Sequence, residues 1–475
     1  MSSSRSPRRG QMLGLLATAF FMTILDGTIL LTALPSIKAD LGLDDADLQW
    51  TVTAYALAFS GLLLFCGRAA DLLGRRRVFM AGLVLRVASS LLCGLAWSGE
   101  VLIAARALQG VSAAIIAPAA LSMVMAGFPE GPERNRALGV WGGVGGVGAT
   151  AGLLLGGVIT DGLGWPWVFL LNVPVGIAVF ALAPILLRES RDPGPARAFD
   201  TTGALTVTAA LALLAYMIIT VPEAGWASGR TAGLLLAVAV LVGLFVLVES
   251  RSAAPLVPLR ILRSPGLVGG NLVILAAGMT VDGMLVTLTA YVQQLRGWSA
   301  LQFGLAAAVM TVTSVGGALF CQRLVTRSGV RSVAAAGTVL LSAACVLMAT
   351  AVAGAGSTGV LLVGLLIFGA GMGGAFVCAQ IAALTGVAEE ESGLAAGLVD
   401  TSFAMGTALG VAICSSVALA RTQALGGSAP HALIDGYQAA FGAAAVLAVL
   451  GSAAVLTLPG RSATRPPART EDVLR

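Results

Sequence analysis

The chain is a succession of long apolar runs, and this feature constrains its fold more than any other. Fourteen stretches alternate with short charged or Pro/Gly-rich breaks, at about 12–35, 50–67, 78–97, 101–126, 137–160, 166–187, 202–221, 231–248, 266–292, 301–322, 332–352, 358–386, 393–420 and 437–458. A helix needs about 20 apolar residues to cross the hydrocarbon core of a bilayer. The pattern therefore predicts an all-α membrane protein with fourteen transmembrane helices. Composition agrees: 57% of the 475 residues are hydrophobic and 11% are charged, whereas soluble domains carry about 25% charge. Arg5, Arg8 and Arg9 precede the first run as in a signal peptide. That run is too long for one, carries Asp26 in its middle, and is followed by thirteen more.

Two scarcities exclude much chemistry. Lys38 is the single lysine and sits in Ser36-Ile37-Lys38-Ala39, so no phosphate-binding Gly-Lys-Ser/Thr loop exists. His431 is the single histidine, which removes Ser-His-Asp triads, HExxH zinc sites and paired-histidine haem ligation. No enzyme, metal site, cofactor or nucleic-acid partner is expected. Cys66, Cys93, Cys321, Cys345, Cys378 and Cys414 lie in or at the ends of runs and read as small apolar packing residues. Arginine in place of lysine, with abundant Ala and Gly, suggests a GC-rich bacterial genome and hence a bacterial inner membrane.

The basic residues set an expected orientation, because cytoplasmic loops carry excess Lys and Arg. With the N-terminus inside, 22 of the 28 basic residues fall in inside segments. Lys38, Arg230, Arg296 and Arg421 fall outside, and Arg86 and Arg106 lie within spans. Both termini are then cytoplasmic. The Glu389-Glu390-Glu391 loop has no basic residue to support its placement.

An internal repeat is also legible. Leu64-Phe65-Cys66 and Leu319-Phe320-Cys321 end spans 2 and 10, and Gly74 corresponds to Gly329 at the same offset. Asp26 corresponds to Asp282 within one residue. Transporters are often built from such repeated halves. The expected division is an N-terminal six-helix bundle (1–187), a linker with two extra transmembrane helices (188–265), and a C-terminal six-helix bundle with its tail (266–475). Arg188 to Asp200, with Pro193, Gly194 and Pro195, and Glu249 to Pro265 are the expected hinges.

Several stretches carry a resemblance. Gly67-Arg68-Ala69-Ala70-Asp71-Leu72-Leu73-Gly74-Arg75-Arg76-Arg77 follows span 2, Arg106-Ala107-Leu108-Gln109-Gly110 lies in span 4, and Gly139, Gly148, Gly152, Gly156 and Gly157 punctuate span 5. These resemble the signature loop GxLaDrxGrkxxl, the RxxqG motif and the antiporter motif G(x)8G(x)3GP(x)2GG of the major facilitator superfamily. Leu72 stands where the loop usually has Arg, and Leu153 where the antiporter motif has Pro. Leu25-Asp26-Gly27-Thr28-Ile29 through Ala33-Leu34-Pro35, Trp165-Pro166-Trp167-Val168-Phe169-Leu170-Leu171-Asn172-Val173-Pro174-Val175-Gly176, Asp200-Thr201-Thr202-Gly203 and Pro255-Leu256-Val257-Pro258-Leu259 look like landmarks of its fourteen-span drug:proton antiporters. The resemblance covers the full chain. It implies a proton-driven exporter of amphipathic toxic compounds, with two six-helix bundles rocking about a central cavity. Gly67, Asp71, Gly74, Arg75, Arg76 and Arg77 would form a latch, Asp71 meeting the positive end of a helix from the other half. The simpler reading of that loop is a positive-inside anchor. For span 5 the simpler reading is generic small-residue packing. Gly143-Val144-Gly145-Gly146-Val147-Gly148 also fits GxGxxG, but no strand precedes it.

Intramembrane charge is expensive and is a functional hypothesis by default. The candidates for proton and substrate coupling are Asp26, Asp282, Asp400, Arg86 and Arg106. Desolvation disfavours an ionised carboxylate, so such a group can carry a proton or, ionised, hold a cation. Structural pairing is the competing reading, with Arg86 able to neutralise Asp26. For Arg106 the competing reading is snorkelling to the outer surface. Phe20, Phe21 and Tyr55 are cavity or core candidates, and Tyr291 and Trp298 interface candidates. The expected function is export of drugs or antibiotics by a functional monomer in exchange for protons. The alternative is a proton-coupled symporter importing a small nutrient on the same fold.

Overall fold

The computed structural model describes residues 6–43, 45–189, 201–252, 255, 257, 260–298, 300–353, 358–388, 391–426 and 429–458. Residues 190–200 of the first expected hinge, Leu256, Pro258 and Leu259 of the second, Glu389, Glu390 and the tail from 459 lie outside them. The described residues form fifteen α-helices and no strand. They are α1 (Ser6–Leu41), α2 (Asp45–Leu73), α3 (Arg75–Gly94), α4 (Gly99–Gly127), α5 (Pro132–Leu163), α6 (Pro166–Leu170), α7 (Asn172–Leu186) and α8 (Thr201–Ala224). Then come α9 (Gly229–Arg251), α10 (Pro265–Gln294), α11 (Ala300–Ser328), α12 (Val330–Ala353), α13 (Thr358–Leu384), α14 (Ser392–Ala424) and α15 (Pro430–Ala454). Each of the fourteen expected spans falls on one helix, except the sixth, which is shared by α6 and α7.

Among the described residues, 13 helical stretches are long and apolar enough to cross a membrane. In α8 the apolar part is shorter, Thr202–Ile218. Because these helices are apolar over most of their length, polar residues mark their ends. Ser98, Ser228 and Ser264 accept hydrogen bonds from the backbone of α4, α9 and α10. Pro132 and Pro430 open α5 and α15 at positions where no backbone N–H is needed. Large apolar side chains such as Ile185, Leu236, Val240 and Val312 are exposed on the outer surface, as a bilayer requires.

Helix packing repeats along the chain. In the first group α1 packs on α5, α2 and α3 on α4, and α3 on α7. In the second, α10 packs on α14, α11 and α12 on α13, and α12 on α15. The turns repeat too. Gly42 and Gly297 have φ 64° and 65°, Gly74 and Gly329 have 105° and 84°, and Gly131 and Gly386 have 113° and 75°. All three pairs share the offset of 255 residues, and all adopt the left-handed backbone that glycine tolerates at least cost.

Two seams join the groups, α2 against α14 and α5 against α11. At the first, Gly67, Gly393 and Gly397 bring the backbones of α2 and α14 together, so that a Cβ on Gly67 would lie 2.5 Å from the Gly393 carbonyl oxygen. The inserted helix α8 lies over this seam, touching both α2 and α14, and α9 packs on α8. Among the described residues, neither inserted helix makes an extensive contact with α11.

Candidate functional site

Asp26 sits in the middle of α1 with no solvent exposure, between two arginines. The Arg106 Nη1 donates to Asp26 Oδ2 at 2.8 Å, and Arg86 Nη1 lies 3.5 Å from the same oxygen. The other carboxylate oxygen accepts from Asn172 Nδ2 at 3.2 Å and Gln109 Nε2 at 3.4 Å. A surrounding shell holds the arginines. Arg106 also donates to the Thr51 carbonyl and to Gln109 Oε1, Arg86 donates to the Met22 carbonyl, and the Arg106 guanidinium lies 4.4 Å from the centre of the Tyr55 ring. Gln109 in turn meets Ser90 and Cys93. Arg106 is 1% exposed, so it turns inward to Asp26 and does not snorkel. Arginine stays ionised in proteins, so with Asp26 ionised this buried cluster carries one excess positive charge. Five helices (α1, α2, α3, α4 and α7) are tied together by it.

Asp282 and Asp400 have a different environment. Neither is joined to an arginine among the described residues, and the buried Oδ2 of Asp400 has no hydrogen-bond partner there. Asp282 is on α10 and Asp400 on α14, two helices that run side by side in the same direction. Ser402 donates to Asn271 Oδ1 at 2.8 Å, Gly278 faces Phe403 and Thr407, and Gly283 faces Gly410 and Cys414. Asp400 is therefore level with residue 269, thirteen residues before Asp282. At helix rise this separates the two carboxylates by about 20 Å along the bundle axis. They are two stations and not one pair.

The end of α2 joins the two helix groups through one side chain. Asp71 is fully buried, and its two oxygens accept from the Gly393 and Leu394 backbone N–H groups at 3.0 Å each. These are free donors in the first turn of α14, where the helix dipole also favours an anion. Arg75 is buried beside Asp71 at 3.1 Å. Arg76 and Arg77 lie 3.8 and 3.7 Å from Glu189, which also accepts from the Arg76 backbone N–H. These arginines thus pair within the first group, and Asp71 makes the crossing. Gly74 turns the chain against the Glu189 carboxylate, where a Cβ would lie 2.8 Å from Oε1.

The glycines of α5 have two destinations. Gly148, Gly152 and Gly156 face α1, at Ile24, Thr28 and Thr32, and let the two helices pack backbone to backbone. Gly139 faces the other way, onto Gln322 of α11, and Gly157 touches nothing within 4 Å. Thr150 and Thr311 hydrogen-bond across the α5–α11 seam. The GxGxxG stretch at 143–148 is continuous helix.

Among the aromatics, Phe20 stacks on the buried Trp141 with ring centres 4.2 Å apart, and Tyr55 is taken up by Arg106. Tyr291 is buried against Tyr437 and so is a core residue. Gln109, Asn172, Ser90 and Thr51 complete the Asp26 cluster without being sequence candidates. Gln109 and Asn172 lie inside the motifs quoted above, which is the available signal, whereas nothing in the sequence marks Ser90 and Thr51.

Comparisons with known proteins agree with this architecture. The family model of the Major Facilitator Superfamily matches residues 16–299 and 268–474. The cephamycin export protein CmcT of Amycolatopsis lactamdurans is 38% identical over 465 residues, covering 95% of this chain and 93% of that protein. The puromycin resistance protein pur8 of Streptomyces alboniger is 36% identical, covering 90% and 86%. The multidrug resistance protein Stp of Mycobacterium tuberculosis is 35% identical, covering 86% and 76%. The crystal structure of the human organic anion transporter MFSD10 (TETRAN) superposes with a TM-score of 0.67 at 20% identity, over 94% of this chain and 99% of that one. The chain belongs to the major facilitator superfamily, and it is a multi-pass membrane protein.

Proposed function

We propose that this protein exports drugs or antibiotics from a bacterial cell in exchange for protons, as a monomer in the inner membrane with both termini cytoplasmic. The export reading is supported by relatives named for cephamycin export, puromycin resistance and multidrug resistance. The observation that carries the proton reading is the contrast between carboxylates. Asp26 is saturated by two arginines and two amides, whereas Asp400 has a buried oxygen with no partner. An intramembrane acid without a fixed counter-ion is free to exchange a proton for a cation.

Mechanistically, Asp26 with Arg86 and Arg106 acts as a rigid strut of the first helix group. Asp71 holds the first turn of α14 and closes the arginine-rich end. Asp400 lies seven residues along α14 from Gly393, or about 10 Å from that contact. A change of charge at Asp400 therefore acts on the same helix that the latch holds. With the latch engaged, the arginine-rich face is shut; with it released, the two groups rock apart there. Asp282, about 20 Å further along, serves the opposite end of the path.

The test is expression in a susceptible bacterial host lacking its main efflux pumps, challenged with puromycin, a cephamycin and a lipophilic dye cation. Reduced accumulation of at least one compound, abolished by a protonophore, is expected. Raised accumulation would instead indicate import, and accumulation independent of the proton gradient would remove the antiport reading.

A further inference from the structure

The α5–α11 seam, with which neither inserted helix makes an extensive contact among the described residues, holds a cavity of about 650 Å³. Its walls come from both helix groups, Arg136 and Val140 from α5 and Leu319, Phe320, Gln322 and Arg323 from α11. We propose that this cavity is a binding site for one anionic phospholipid, whose headgroup phosphate bridges the two groups.

Charge complementarity selects the occupant. Arg136 and Arg323 are exposed, and among the described residues neither has an ion pair or a hydrogen bond from its side chain. Among the described residues no carboxylate lines the cavity. Gln322 shapes the floor. It is only 8% exposed and packs its amide nitrogen on Gly139, where any Cβ would overlap it, so α5 and α11 meet closely beside the cavity. The phosphate is then held by the two arginines. The same opening is lined by Phe320 and Leu319, which are 64% and 45% exposed on the lipid-facing side. A free inorganic anion has no use for that apolar wall, whereas an acyl chain packs on it. Arginines placed between membrane helices at the headgroup level are the general recognition chemistry for anionic lipids. At the opposite seam α8 occupies the equivalent lateral position, so the bound lipid would complete on this side what α8 does on the other. By holding Arg136 and Arg323 to one phosphate it would favour the closed form of the arginine-rich end.

The experiment titrates dioleoylphosphatidylglycerol or dioleoylphosphatidylcholine into the purified full chain in neutral detergent and counts retained lipid by native mass spectrometry. One phosphatidylglycerol is expected to be retained in preference to phosphatidylcholine. The double variant Arg136→Gln/Arg323→Gln should lower that preference about thirtyfold, and Arg323→Gln alone about fivefold. Arg331→Gln, an exposed arginine elsewhere at the same end, should leave it unchanged. Equal retention of both lipids by the wild type, or undiminished preference in both cavity variants, overturns the proposal. Inorganic phosphate is the competing arm, and full displacement of phosphatidylglycerol by it would also overturn the lipid assignment. Should the double variant not fold, Arg323→Gln and the wild-type lipid preference decide the outcome.

Discussion

At the scale of the residue, Asp26 and Asp400 have opposite surroundings among the described residues. Asp26 is enclosed by Arg86, Arg106, Asn172 and Gln109. Removing one member of a buried ionic network leaves the others uncompensated, at a cost of about 3–5 kcal/mol. Asp26→Asn should therefore lower thermal stability by that order, as read by unfolding in detergent. Asp400→Asn should not, because its buried oxygen has no partner to lose, and its unfolding midpoint should match or exceed the wild type. Equal destabilisation by both variants would show that the contrast between the two sites is not energetic. The sequence made all five intramembrane charges visible, since each interrupts an apolar run. It offered Arg86 as a partner for Asp26, which stands 3.5 Å away, but not Arg106, which makes the shorter contact. Asp26 and Arg106 are 80 residues apart, and their meeting depends on α1 and α4 packing side by side.

At the scale of the element, α14 and α5 carry the junctions. Asp71 satisfies two free N–H groups of α14, and hydrogen bonds to a charged group contribute about 1.5–3 kcal/mol each. Asp71→Asn should shift the population toward an open arginine-rich end, read as faster thiol labelling of the native Cys66, buried on α2 beside Gly67, with the other five cysteines replaced. Unchanged labelling would remove the latch role. Gly152→Val introduces a branched side chain where α1 backbone and Thr28 already stand. Overpacking of this kind costs about 1–3 kcal/mol, so the folded yield and unfolding midpoint should both fall. Gly157→Ala, in open space, should change neither. The motifs predicted that these elements matter. They did not resolve their partners: the glycines at 148, 152 and 156 serve α1 within one group, and Arg76 and Arg77 serve Glu189. Spacing along a helix fixes a face but not the neighbour that the face meets.

At the scale of the whole molecule, the helical spans and the repeat were legible because a bilayer demands long apolar helices and duplicated bundles need the same turns. One matched glycine pair could be identified beforehand; the backbone adds Gly42 with Gly297 and Gly131 with Gly386. The position of α8 over the α2–α14 seam could not be read from its apolar composition, which is compatible with any lipid-facing position. In the proposed mechanism Asp400 couples protons to export while Asp26 holds the scaffold. The most direct measurement uses proteoliposomes, a compound transported in the accumulation assay, and a pH-sensitive dye inside the vesicles. Wild type should move protons opposite to the compound. Asp400→Asn should lose that proton movement while still exchanging labelled for unlabelled compound across the membrane. Proton movement by Asp400→Asn equal to that of the wild type would contradict the account.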